Sequence, residues 1–206
     1  MKTINTIIFD LGGVLIDWNP EYVFIDVFNG DRDKMHWFLK HVCTPDWNEN
    51  QDAGYTLEQA TKDRITLFPE YENEIGAFYG RWPEMLGGAI EGSVSILNRL
   101  RESKHYKIIA LTNWSAETFP IALKKFDFLQ WFEGIVVSGE EKTRKPFDDI
   151  YKLTLQRYNI NPEQALFIDD NLRNIEAAQA LGIRSIHFKS PEQLLVALKH
   201  FNIHLQ

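Results

Sequence analysis

Apolar residues are distributed along the chain in two distinct ways. Five short runs, Thr6–Phe9, Lys107–Leu111, Gly134–Val137, Ala165–Ile168 and Arg184–Phe188, are β-branched or aliphatic and mostly continuous. Continuous rather than alternating runs describe strands buried on both faces. Between them, apolar positions recur at helical spacing. Over Ile90–Ser103 these are Ile90, Val94, Leu97 and Leu100, and comparable patterns cover Glu117–Phe126, Pro146–Tyr158, Asn171–Leu181 and Pro191–His200;. Strand and helix alternate from about residue 90 onward. That order predicts an α/β fold with right-handed crossovers, a Rossmann-like parallel sheet covered by helices on both faces, and ligands at the C-terminal ends of the strands.

The stretch from Ile16 to Leu86 departs from this pattern: it lacks a convincing buried strand and is rich in Trp, Phe, Tyr and charge. Helices are predicted over Glu21–Phe28, Asp31–Val42, Thr56–Phe68 and Glu70–Trp82, with Thr56-Leu57-Glu58-Gln59 as an N-terminal signal and Pro69 as a break;. Trp47 and Asn48, after Thr44-Pro45, read as a loop that contacts substrate. The expected organisation is an α/β core formed by residues 1–15 and 87–206 with a helical cap, residues 16–86, inserted after the first strand and lying over the strand ends.

At 206 residues, 44% of them hydrophobic, the chain can bury one sizeable core or a core plus a small appended domain;. A formal charge of -7 argues against a general nucleic-acid binder, so any phosphate site must be built residue by residue;. The one cysteine, Cys43, allows no internal disulfide, no apolar run is long enough to span a bilayer, and the first strand begins without a signal-peptide stretch;. The expectation is a cytoplasmic protein, monomer or homodimer, that engages neither membrane nor nucleic acid.

Candidate chemistry follows the strands to their ends. The first closes on Asp10, then Gly12-Gly13; the second on Thr112-Asn113-Trp114; the third is followed by Ser138 and, further on, Lys145-Pro146; the fourth on Asp169-Asp170-Asn171. Carboxylate, hydroxyl and amide, ammonium and a carboxylate pair together suit phosphoryl transfer. A carboxylate can accept a phosphoryl group and surrender it to water, splitting one difficult step into two. An anionic nucleophile approaching a phosphate dianion needs a cation between them and donors on the equatorial oxygens. Oxygen-only ligands describe Mg²⁺, which Asp10 and Asp170 could hold.

These segments resemble the four motifs of the haloacid dehalogenase-like (HAD) hydrolases with an α-helical cap of the C1 type: Asp10-Leu11-Gly12-Gly13-Val14-Leu15, Leu111-Thr112-Asn113, Lys145 in Arg144-Lys145-Pro146, and Asp169-Asp170 with Asn174;. The resemblance implies a Mg²⁺-dependent hydrolase of a small phosphorylated metabolite. It makes Asp10 the nucleophile and a metal ligand, the Gly12 carbonyl and Asp170 further ligands, and Asp169 an inner or outer one. Thr112 and Asn113 would hold the phosphate, and Lys145 would neutralise it and orient Asp10. Typical phosphatases of the family carry an acid at the position of Gly12 that protonates the leaving oxygen, help worth about 10²–10⁴ in rate. A branch of bacterial C1-capped sugar phosphatases, of the α-glucose-1-phosphate type, shares the glycine and suggests a sugar phosphate.

Without that acid, the proton could come from a bound water or the substrate, the leaving group could need little help, or the cap could supply Asp17, His41, Asp46, Glu49 or Asp52. Two other functions stay open. A metal-independent 2-haloacid dehalogenase would use the same nucleophile but has no need for adjacent Asp169 and Asp170, and a non-catalytic binding or regulatory protein could retain the fold. Bland readings exist as well: Thr112-Asn113 or Asp169-Asp170-Asn171 as helix caps, Lys145 as a solvated loop residue. Trp18 and Trp114 each follow a motif and are candidates for substrate contact. The six histidines, His36, His41, His105, His187, His200 and His204, show no metal-ligand spacing;.

Overall fold

A computed structural model describes residues 2–203 and 205; His204 lies outside them. Five strands form one parallel sheet in the order β5-β4-β1-β6-β7: β1 Thr6–Phe9, β4 Lys107–Thr112, β5 Gly134–Val137, β6 Ala165–Asp169 and β7 Arg184–His187. Every residue of β1 and β6 is buried, because helices cover both faces;. One face packs Ile7 and Phe9 into a large apolar cluster, and the other packs Ile8 against Ile109, Phe167 and Tyr151. The covering helices are α6 Glu91–Ser103, α7 Phe119–Lys125, α8 Ser138–Glu141, α9 Asp148–Arg157, α10 Leu172–Ala180 and α11 Pro191–His200. The α/β architecture therefore matches the sequence expectation.

The centre of the sheet positions the site. β1 pairs with β4 on one side and β6 on the other, so the chain turns to opposite sides at β1 and leaves a crevice beyond its C-terminal end;. Asp10 donates its backbone N–H to the Ile168 carbonyl at 2.8 Å, which carries the ladder one residue past β1 and fixes Asp10 at the strand tip.

Residues 16–86 differ from expectation in two respects. A strand, β2 Ile16–Trp18, pairs antiparallel with β3 Leu86–Ala89, so a two-stranded ribbon carries the chain out of the sheet region and back. β2 was not legible because three residues provide no periodicity. Second, Pro45–Gln51 is a helix rather than a loop. Thr44 caps it, accepting from the Trp47 N–H at 3.1 Å, and Pro45 occupies its first position, where no N–H is required;. With that addition the helices between the two ribbon strands are α1 Glu21–Val27, α2 Arg32–His41, α3 Pro45–Gln51, α4 Leu57–Leu67 and α5 Glu72–Gly80. Their interior is aromatic: Phe24 packs on Phe38 and Phe78, with centroids 5.1 and 5.9 Å apart, and Trp47 meets Phe78 edge-on at 5.2 Å. Large flat side chains let short helices bury enough apolar area to hold together.

Candidate active site

The sheet brings Asp10, Lys145, Asp169 and Asp170 to one place. Lys145 is fully buried, its Nζ 2.9 Å from Asp10 Oδ1 and 2.7 Å from Asp169 Oδ2, and it donates also to the Leu111 carbonyl at 3.0 Å. Its three donors are thereby all used, which excludes a solvated loop lysine. Burial alone would lower its pKa, but Asp10 and Asp169 outweigh burial and hold it above the usual lysine value. Asn113 clamps the same loop from both sides: its Nδ2 donates to the Lys145 carbonyl and its Oδ1 accepts the Lys145 N–H, each at 2.9 Å. The Asn113 side chain is therefore occupied in placing Lys145.

Asp169 accepts from Lys145, from the Asn171 N–H at 2.8 Å, and from Asn174 Nδ2 at 3.1 Å to each oxygen. Asn174 is a buried positioning residue for that carboxylate. Asn171 caps α10 through Arg173, while Thr112 and Asn113 cap nothing, since the next long helix begins at Phe119. Asp170 is pressed against the glycine turn: a Cβ on Gly13, whose φ is +71°, would stand 2.4 Å from Asp170 Oδ2. Gly13 is required there; Gly12 is not, as a Cβ added to it meets nothing within 4 Å.

Burial raises the Asp10 pKa, Lys145 opposes this, and Asp169 and Asp170 add to the rise. Asp170 is raised by burial and then by Asp169. Carboxylate oxygens of Asp10, Asp169 and Asp170 lie within 4.8 Å of one another. Three acids against one ammonium leave the site short of positive charge, and the donors are all oxygen. That set fits a hard divalent cation such as Mg²⁺. At the end of the neighbouring strand, β4, the Thr112 Oγ1 is buried and has no hydrogen-bond partner among the described residues;.

The helices between β2 and β3, the expected cap, contribute residues that line a cleft with these strand ends. A cleft of about 260 Å³ is lined by Asp10, Lys145 and Asp170 from below and by Asn48, Glu49 and Asp52 from above. A second cavity of about 110 Å³ opens between Gly12, Asp52 and three tryptophans, Trp18, Trp82 and Trp114. Trp114 is buried and its Nε1 donates to Thr118 at 3.1 Å, whereas the Nε1 atoms of Trp18 and Trp82 are buried without an acceptor among the described residues. Trp82 had no motif beside it in the sequence to single it out. Glu49 joins cap to base, meeting Arg144 at 2.9 Å and Arg173 at 2.5 Å; nothing in local pattern announces partners so far apart in the chain.

The switch point of an α/β sheet thus gathers three carboxylates around a buried lysine, a group that could hold a metal ion. A family model described as haloacid dehalogenase-like hydrolase matches residues 46–188, and the chain belongs to that family. Among its relatives, the sesquiterpene phosphatase astK of Aspergillus oryzae is 26% identical over 90% of each chain. A phosphorylated carbohydrates phosphatase of Thermotoga maritima is 30% identical over 42% of this chain, which spans only 40% of that relative's length. A HAD family enzyme from Bacteroides thetaiotaomicron, solved as a magnesium complex, superposes with a TM-score of 0.71 at 26% identity, covering 92% of this chain and 95% of its own. The protein is thus a HAD-like hydrolase with phosphatases among its relatives. Among the described residues, no helix is long and apolar enough to cross a membrane.

Proposed function

We propose that the protein is a Mg²⁺-dependent phosphomonoesterase that forms an aspartyl phosphate on Asp10 and acts on a small phosphorylated metabolite, a sugar phosphate in class. One observation carries the reading: three converging carboxylates and a buried ammonium stand beside an unpartnered hydroxyl, Thr112 Oγ1. Asp10, Asp170 and the Gly12 carbonyl would hold the cation, with Asp169, already saturated by hydrogen bonds, orienting Lys145. The cation supplies charge neutralisation between nucleophile and substrate. Asp10 attacks phosphorus in line with the leaving oxygen, held by Lys145 at 2.9 Å;. Thr112 donates to a phosphoryl oxygen, and Lys145 offsets the charge spread over the equatorial oxygens. A dehalogenase would gain nothing from Asp170 beside Asp10, where like charges would only repel its anionic substrate.

The sugar class rests on the unpartnered indole N–H groups of Trp18 and Trp82 in the tryptophan-lined cavity, donors suited to hydroxyl oxygens, and on the name of the Thermotoga relative;. Cys43, a single buried thiol, suits the cytoplasm;. The test is hydrolysis of p-nitrophenyl phosphate with Mg²⁺, with EDTA, and by Asp10→Asn, followed by a screen of phosphorylated metabolites. Turnover should need both Mg²⁺ and Asp10. Chloride release from 2-chloropropionate in EDTA would instead establish a dehalogenase, and no turnover of any ester would establish a binding protein.

A further inference from the structure

Cleavage of a phosphomonoester expels an alkoxide unless something protonates it, and the base of this site has nothing suited to the task. Asp10 and Asp170 belong to the proposed cation site, Lys145 is spent on three acceptors, and position 12 has no side chain. The space beside Gly12 is open, however, and a cap carboxyl lines the same cavity. We propose that Asp52 is the general acid and base of this hydrolase, delivering from the cap the proton transfer for which Gly12 has no side chain. The proposal rests on the phosphatase reading above.

Four observations carry it. Asp52 lines both the cavity beside Gly12 and the cleft that holds Asp10, so it faces the leaving-group side of the reacting phosphorus. Of the other titratable groups lining that cleft outside the cation site and Lys145, Glu49 is tied to Arg144 and Arg173, and Cys43 has its pKa raised, chiefly by burial. Asp52 is buried and makes no ion pair at contact distance among the described residues. It is also held in place by a chain of hydrogen bonds within the cap. Gln51 Nε2 donates to the Tyr79 hydroxyl at 2.9 Å, the hydroxyl donates to Asn48 Oδ1 at 2.9 Å, and Asn48 Nδ2 reaches Asp52 Oδ2 at 3.4 Å. From the base, the Ser115 backbone lies against the carboxyl. Asp52 is therefore poised only while cap and base are together.

The groups facing it are Glu49 on its own helix, Arg144 and Lys145 from the base, and Tyr79 from α5. Burial, then Glu49, pushes the Asp52 carboxyl up to about 7, against Arg144, the Ser115 N–H and Lys145, which suits a group that must give and take a proton near neutrality;. In the first step Asp10 forms a bond to phosphorus, the phosphorus–oxygen bond to the leaving group breaks, and the Asp52 proton passes to the departing oxygen. In the second, ionised Asp52 takes one proton from water as the water oxygen bonds to phosphorus. The acyl phosphate bond breaks, its electron pair returns to the Asp10 carboxylate, and hydrogen phosphate leaves with Asp52 protonated again.

The experiment compares wild type, Asp52→Asn and Asp10→Asn on phenyl, p-nitrophenyl and 2,4-dinitrophenyl phosphate with Mg²⁺ present, following phosphoenzyme formation in single turnover. Phenolate needs a proton, whereas dinitrophenolate leaves without one. Asp52→Asn should lose about 10²–10⁴-fold on phenyl phosphate and less than about tenfold on the dinitrophenyl ester, whose phosphoenzyme should then accumulate. The basic limb of the wild-type pH profile should vanish in the variant. Gly12→Asp, added to Asp52→Asn, should restore phenyl phosphate turnover from the opposite wall. Equal losses across the three esters, or no loss, would overturn the assignment of Asp52 while leaving the phosphatase reading intact. Retained turnover in Asp10→Asn would overturn both.

Discussion

The base and the cap place their carboxylates among different partners. At the strand ends, Asp10 and Asp169 share one buried ammonium and Asp170 leans on a glycine turn; burial still pushes the Asp10 carboxyl up to about 8 against Lys145, with Asp169 and Asp170 adding to the rise, so the cluster calls for a cation. In the cap, Asp52 is buried with an amide beside it and no ion pair at contact distance among the described residues, and burial, then Glu49, pushes it up to about 7 against Arg144 and Lys145. Burial raises both acids, so the difference lies in the partner each can gain: a divalent cation among three carboxylates, or a proton on one carboxyl standing apart from them. On the proposed mechanism, the same fold would supply a nucleophile from the sheet and a proton donor from the helices lying over it.

The base should be the less forgiving of the two. Asp10→Asn removes the proposed phosphoryl acceptor and should cost on the order of 10⁵-fold in kcat, measured by phosphate release from p-nitrophenyl phosphate. A loss comparable to that of Asp52→Asn would erase the contrast. Lys145→Met leaves two buried carboxylates facing each other without their cation, and should lower stability by about 3–5 kcal/mol in denaturant titrations. Added Mg²⁺ should recover part of that loss in the variant. An unchanged midpoint would show that the carboxylates are not charged together.

The cap is tested by pH. With a folded pKa near 7 against 3.8 unfolded, the Asp52 contribution favours the folded state fully below pH 3.8 and is lost as pH rises to about 7. Relative to Asp52→Asn, the wild type should therefore weaken by up to about 4 kcal/mol across that window and run parallel above it. Parallel curves throughout would place an ordinary carboxylate there. The smallest effect belongs to Glu49→Gln, which loosens the bridge from cap to Arg144 and Arg173. A cost of about 1 kcal/mol, read as a several-fold rise in KM with kcat little changed, is expected where one carboxylate is shared by two guanidiniums and one of those is exposed;.

The same contrast explains what the sequence disclosed. Continuous apolar runs located the sheet, and because strand ends in a parallel sheet converge, Asp10, Thr112, Lys145, Asp169 and Asp170 could be gathered from four places in the chain without a structure. The cap obeys no such rule. α3 was read as a loop because a polar helix of seven residues has no apolar stripe, although Thr44-Pro45 is a helix start;. Asp52 could not be told from Asp17, Asp46 or Glu49, since its distinction is burial without an ion pair at contact distance among the described residues, in a setting that Tyr79 and Ser115, far off in sequence, help to build. Asn113, expected to hold phosphate, has its amide engaged by Lys145, a long-range pairing that local pattern does not encode.

The most direct test of the central claim is to trap the intermediate. Enzyme with Mg²⁺ and p-nitrophenyl phosphate is quenched in acid within a turnover, and the phosphoryl adduct is located by peptide mapping. The adduct should lie on the peptide carrying Asp10, and it should be absent both in EDTA and in Asp10→Asn. Phosphate release with no adduct on Asp10, or an adduct that persists in Asp10→Asn, would contradict a covalent mechanism at this carboxylate.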